Sequence, residues 1–179
     1  NVLGPGRICH AGIGATVIGD LRGVITDRIL ELAQIFNKAN IEAHVSDNVL
    51  GIIWTKLIVN VGINALGTLL RVRNGELIKG AYSLAVQRCL VEEALTVAKK
   101  KGITLIHPDM VNEVAVVSEK TGSNINSMLQ DVLKKKRTEI DFINGAIVRE
   151  GEQLGVPTPA NRFVSNLIKA IEQNYSKQI

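Results

Sequence analysis

A chain of 179 residues with 46% hydrophobic and 21% charged side chains can bury a sizeable core, and its composition is that of a globular protein rather than a disordered one. Aromatic residues are only 3%, so the core is aliphatic and suits packed helices better than a β-sandwich. The net charge of +4 is mild, which fits attraction of an anionic small molecule better than nucleic-acid binding.

The chain opens at Asn1 without a basic segment followed by an apolar one, so no secretory signal is read, and it reads as the remainder of a longer protein. From Arg7 to Ile18 it is rich in glycine and small or β-branched residues, as a strand or strand pair would be. Thr26 or Asp27 caps a predicted helix with apolar positions Ile29, Leu32, Ala33 and Phe36 at helical spacing, and Ile41 to Val45 then reads as a short strand. Strand, helix, strand is the order expected at the tail of an α/β domain. The dinucleotide fingerprint is absent: Gly4-Pro-Gly6 meets Cys9 where a third glycine is needed, and Gly12-Ile-Gly14 meets Val17.

From Ser46 onward the signals are helical. Ser46 or Asp47 caps a long helix running to about Leu70, in which Gly62 and Gly67 allow close approach of a backbone or a ligand. Ser83 to Lys101 is a second helix closed by Gly102, and Pro108 opens a third that Gly122 ends. Ser123 to Lys136, Thr138 to Leu154 and Pro159 to Tyr175 supply three more, and Thr138-Glu-Ile-Asp has capping-box spacing. The basic run Lys134 to Arg137 carries no interleaved aromatics and reads as a solvated face. Cys9 and Cys89 lie in no Cys-x-x-Cys pair, and the three histidines are scattered, so no metal site is expected and the thiols suit a cytoplasmic protein. No apolar run is free enough of polar residues to be read as a membrane span.

Lys56, Asn60 and Asn64 lie four residues apart in the long helix, otherwise apolar here. Four residues turn through roughly 400°, so the three form one narrow stripe on a helix expected to be buried nearly all round. A lysine there is costly to desolvate unless it faces a cleft or a partner. A lysine that snorkels to the surface beside two internally bonded asparagines explains the stripe equally well. Asn124, Ser127 and Asp131 share one face of the Ser123 helix, where a capped helix start with solvated polar groups is the plainer reading. Glu139 precedes an inward-turning apolar face, where its carboxylate could meet Lys56, and an exposed first-turn glutamate favoured by the helix dipole accounts for it as well.

Together these segments resemble the ketopantoate reductase family. The resemblance rests on Trp54-x-Lys56-Leu-x-x-Asn60-x-x-x-Asn64-Ala-Leu, Asn124-x-x-Ser127-Met-Leu-Gln-Asp131, Arg137-Thr-Glu139-Ile-Asp141-Phe-Ile-Asn-Gly145 and Gly155-Val-Pro-x-Pro-x-Asn161. A further stretch, His10 to Gly19, resembles the region near the end of the family's dinucleotide domain. In order, the set covers essentially the whole chain and is far more specific than any one motif.

The resemblance implies a mainly α fold: a helical domain of the 6-phosphogluconate-dehydrogenase C-terminal type over 47–179, preceded over 1–46 by a short α/β remnant of a Rossmann domain. It implies NADPH-dependent reduction of 2-dehydropantoate to (R)-pantoate in pantothenate and coenzyme A biosynthesis, at a site in the cleft between the two domains. Lys56 matches the catalytic lysine and Glu139 the active-site glutamate, while Asn60, Asn64, Asn124 and Ser127 match substrate-binding positions. The glycine-rich loop and most of the Rossmann domain are missing, so NADPH belongs to the full-length parent and no cofactor-binding residue is identified. The implied partner is a small 2-keto acid, with a homodimer left open and no nucleic acid or membrane. The alternatives are a related reductase of another 2-keto acid and a non-catalytic helical interaction or dimerisation module; joint retention of Lys56, Asn60, Asn64, Ser127 and Glu139 argues against the last.

Overall fold

The computed structural model describes residues 2–10, 12 and 14–177. The chain divides into two compact units, Asn1–Leu50 and Gly51–Ile179. In the first, β1 (Val2–Gly4) and β2 (Arg7–Ile8) form a small antiparallel hairpin. β3 (Thr16–Ile18) pairs in parallel with β4 (Ala43–Val45), Thr16 opposite Ala43 and Ile18 opposite Val45. A parallel pair needs a crossover, and α1 (Asp27–Lys38) supplies it. Thr26 caps α1, its hydroxyl accepting from the Ile29 amide. Asn37 ties the end of α1 to β4, since its Nδ2 donates to the Ala33 and Ala43 carbonyls while its Oδ1 accepts from the Ala43 amide.

The second unit is helical. α2 (Val49–Leu70), which begins in the first unit, buries Trp54, Ile58, Val61, Ile63, Ala65 and Leu66. By length and composition alone α2 is apolar enough to cross a bilayer, although Lys56, Asn60 and Asn64 interrupt its apolar run. With 56% of that apolar window buried inside the protein, α2 has the character of a core helix. α3 (Ala81–Lys100), α4 (Met110–Lys120), α5 (Ser127–Leu133), α6 (Asn144–Leu154) and α7 (Pro159–Gln173) follow. Gly62 brings α3 and α4 onto α2: a Cβ there would lie 2.7 Å from Val114 Cγ1 and 2.9 Å from Val91 Cγ2. The close approach expected at Gly62 is therefore made by neighbouring helices. The fold is mainly α with a small α/β segment in front, as expected.

The differences from the sequence reading lie at helix ends. Asp109 caps α4 by accepting from the Asn112 amide, so Pro108 lies outside the helix. α5 starts at Ser127 because Asn126 accepts from the Leu129 amide, which leaves Asn124 ahead of the helix and off its face. The predicted helix from Thr138 is instead a 3-10 turn, Ile140–Phe142, separated from α6 by a break at Ile143. The Thr138 hydroxyl accepts from Ile140, two residues on, so no capping box forms. Asp141 turns away to Lys169 at 2.6 Å and Arg137 at 3.4 Å, and the Lys169 ammonium in particular holds its carboxyl below the usual range.

Cys9 and Cys89 are exposed thiols in different units. Burial pushes the Cys89 thiol up, and the Glu93 and Glu92 carboxylates push it further. Two thiols per chain should titrate without reductant, with Cys89 alkylated slowly at neutral pH and faster as pH rises, since the thiolate is the reactive form. In a Cys9→Ser variant, neutral-pH alkylation as fast as that of an unstructured cysteine peptide would contradict this.

Candidate active site

α2 carries the polar stripe on its side. Lys56 is exposed, Asn60 half-buried and Asn64 buried. Successive members stand about 6 Å apart along the axis, so Lys56 to Asn64 spans about 12 Å, the scale of a small organic acid and its contacts. Lys56 makes no hydrogen bond or ion pair among the described residues. Its ammonium is therefore open to a ligand rather than spent on a structural partner.

The stripe continues one turn further than the sequence reading took it. Thr68, at the same four-residue spacing, is buried; its hydroxyl donates to the Asn64 carbonyl at 2.7 Å and lies 3.4 Å from Asn126 Oδ1. Gly67 permits that approach, because a Cβ there would lie 2.7 Å from Asn126 Nδ2. Asn126 immediately precedes Ser127, so the far end of the stripe meets the loop bearing Asn124 and Ser127, both exposed.

A second strap fastens the same loop. Asn74 opens a 3-10 helix, Asn74–Ile78, and its amide donates to the Asn124 carbonyl at 3.1 Å. Its Nδ2 donates to Thr121 Oγ1 at 2.9 Å, and Gly75 donates to the Gly122 carbonyl at 3.2 Å. Asn74 Oδ1 and Asn126 Nδ2 are buried without a partner among the described residues. Such groups normally find one, so this corner keeps polar capacity beyond what the chain itself satisfies. Thr68, Asn74 and Asn126 were missed as site-forming residues, although the unbroken spacing Lys56, Asn60, Asn64, Thr68 was a visible signal.

Glu139 stands just before the 3-10 turn, and its carbonyl accepts from Phe142 at 2.9 Å and Ile143 at 3.1 Å. Its backbone is fixed and its carboxylate exposed, without a hydrogen bond or ion pair among the described residues. Of the two readings the sequence left open, the exposed carboxylate is the one observed, and no ion pair with Lys56 forms among the described residues. Thr138 beside it is buried, and its amide donates to Glu172 Oε1 at 2.7 Å, which secures the strap to α7. The structure thus joins Asn64 to the Asn124 and Ser127 loop by hydrogen bonds, while Lys56, Asn60 and Glu139 present side chains that no direct bond links.

A groove between α6 and α7, about 320 Å³ and lined by Asp141, Arg149, Glu152, Arg162 and Lys169, lies apart from this stripe. Its charges are largely consumed by the pairs Lys169–Asp141 and Arg162–Glu152. Ion pairs of that kind, near the surface, are weak stabilisers.

Residues 48–172 match the family described as ketopantoate reductase PanE/ApbA C terminal. The chain belongs to the ketopantoate reductase family. It is 34% identical over 172 residues to a 2-dehydropantoate 2-reductase of Archaeoglobus fulgidus, covering 96% of this chain and 58% of that protein. The crystal structure of a PanE/ApbA family ketopantoate reductase from Ralstonia eutropha superimposes with a TM-score of 0.87 at 38% identity, over 97% of this chain and 56% of that one. A ternary structure of D-mandelate dehydrogenase with NADH and anilino(oxo)acetate superimposes with a TM-score of 0.82 at 32% identity, over 98% of this chain and 58% of that one. The chain therefore spans a little over half the length of the relatives it matches.

Proposed function

We infer that this chain forms the substrate-side part of an oxidoreductase that reduces a 2-keto acid, with 2-dehydropantoate as substrate, (R)-pantoate as product and NADPH as the reductant, in pantothenate and coenzyme A biosynthesis. The observation that carries the reading is Lys56: an exposed ammonium without a partner among the described residues, in line with Asn60 and Asn64 on an otherwise apolar core helix. The names of the relatives support the substrate, and the NADH in the D-mandelate dehydrogenase structure supports a nicotinamide cofactor.

Reduction of a ketone places negative charge on the carbonyl oxygen, and an ammonium beside that oxygen stabilises the charge and donates the proton that completes the alcohol. Lysine suits this role because it can release a proton, whereas arginine stays protonated. Asn60, Asn64, Asn124 and Ser127 would hold the carboxylate and hydroxyl of the substrate without adding net charge. A substrate bridging Lys56 and Glu139 would let the carboxylate orient the ammonium and keep it protonated.

The described residues offer the phosphates of the nucleotide no glycine-rich turn that opens a helix: Gly4 ends β1, Gly6 lies in the turn of the β1–β2 hairpin, and α1 is capped by Thr26. We accordingly expect the 179-residue chain by itself to show no useful NADPH-dependent turnover of 2-dehydropantoate, since positioning of the reactants supplies much of the rate. Robust turnover by pure chain would overturn that division of labour. Assays of the reductase on a panel of 2-keto acids with NADPH and NADH test the substrate; preference for an aryl 2-keto acid with NADH would move the reading toward the activity of D-mandelate dehydrogenase.

A further inference from the structure

A hydrogen-bond chain, half-buried at Glu93 and fully buried from Asn161 onward, crosses four helices and ends beside the stripe. Glu93 on α3 accepts the Ala160 amide at 2.8 Å, the Asn161 amide at 3.0 Å and Asn161 Nδ2 at 2.8 Å. It thereby caps α7 from another helix, a task that the Thr158 side chain does not perform. Asn161 Nδ2 also donates to the Leu90 carbonyl at 3.0 Å, which fixes the orientation of the amide and turns its Oδ1 toward Asn144. Asn144 Nδ2 donates to that Oδ1 at 2.9 Å and to the Val61 carbonyl of α2 at 3.2 Å. Asn144 and Asn161 are both fully buried.

The polarity of this chain is dictated from the Glu93 end, and its consequence is visible at the other. With both Nδ2 protons committed, Asn144 Oδ1 is left buried without a partner among the described residues. A network kept in an aliphatic core despite an orphaned acceptor is a poor way to gain stability and a good way to fix register. Val61 lies between Asn60 and Asn64, and Asn144 follows Glu139 across one 3-10 turn whose Phe142 and Ile143 amides bind the Glu139 carbonyl. One hydrogen bond and one tight turn therefore connect the stripe to Glu139.

We propose that Asn144, aligned by Asn161 and Glu93, is the positioning residue that sets the register of Glu139 against the Lys56, Asn60 and Asn64 stripe. A slip of one residue along a helix is about 1.5 Å, and misplacement of about 1 Å can cost about 100-fold in rate. The proposal rests on the site reading above.

The test is made in the active reductase containing this chain. Asn144→Ala is expected to lower kcat by about tenfold or more with KM changed much less, as for loss of alignment in the transition state. Asn144→Ser, which keeps one donor, should recover part of the loss. Ile147→Ala on the same helix, equally buried, should lower the melting temperature but leave kcat within about twofold, because it perturbs packing and not register. If Asn144→Ala fails to fold, Glu93→Gln serves instead; it retains the size of the group but weakens the cap, and its kcat should fall while KM holds. Kinetics of Lys56→Ala, run alongside, separate the two levels. Impaired Lys56→Ala with Asn144→Ala, or its substitute, within twofold of wild type overturns the positioning role alone. So does an Ile147→Ala loss in kcat matching that of Asn144→Ala. Near-normal Lys56→Ala overturns the site reading itself.

Discussion

In the active reductase, Lys56→Ala is expected to lower turnover by about 10²–10⁴-fold, the usual range for losing a general acid. The substitution removes both the proton donor and the positive charge facing the developing oxyanion. Stability should change little, by about 1 kcal/mol in either direction. Lys56 is exposed and has no ion pair to lose among the described residues, and alanine is the better helix former. A snorkelling surface lysine predicts a variant within about threefold of wild type, far under the range for a lost general acid. Steady-state kinetics with a melting curve on the same protein decide, and near-normal turnover would remove Lys56 from the chemistry. Lys56→Arg is the informative companion. It restores charge but cannot readily give up a proton, so rescue of substrate affinity without rescue of rate identifies proton delivery as the missing function.

The sequence exposed what local rules govern. Thr26 caps α1, α2 ends at Leu70 and α7 starts on Pro159, each from residue types whose preference needs only neighbours along the chain. The stripe on α2 was legible for the same reason, since a four-residue period is a property of one helix. The break at Ile143 was not legible. Asp141 has the spacing to cap Thr138, but it takes Lys169, 28 positions further on, because α7 packs beside the turn. Nothing in the sequence singles out Glu93, and its role follows from the N-terminus of α7, whose Ala160 and Asn161 amides donate to its carboxylate. Whether Lys56 and Glu139 meet stayed open in the sequence for a related reason. The sequence offered two opposite charges but not the separation between the elements that carry them.

Gly62→Val is expected to cost about 3 kcal/mol, the upper part of the usual range for overpacking a core, and so to lower the melting temperature by roughly 6–12 °C for a chain of this size. Valine is intrinsically a slightly better helix residue than glycine, which offsets only a few tenths of a kcal/mol. The first added carbon already lands 2.7 Å from Val114 Cγ1 and 2.9 Å from Val91 Cγ2. Both neighbours are buried and β-branched, with one strongly preferred rotamer in a helix, so neither can swing aside and α3 or α4 must move. Gly62→Ala should fall between, losing about 1–2 kcal/mol once its larger propensity gain is counted. Val114→Ala combined with Gly62→Ala should be less destabilised than the sum of the two singles, because one change makes the space the other fills. Additive losses, or a Gly62→Val chain as stable as wild type, would show that the approach of α3 and α4 is loose. Since Gly62 lies between Asn60 and Asn64, a loose approach there would also leave the stripe without the rigid backing that its chemistry requires.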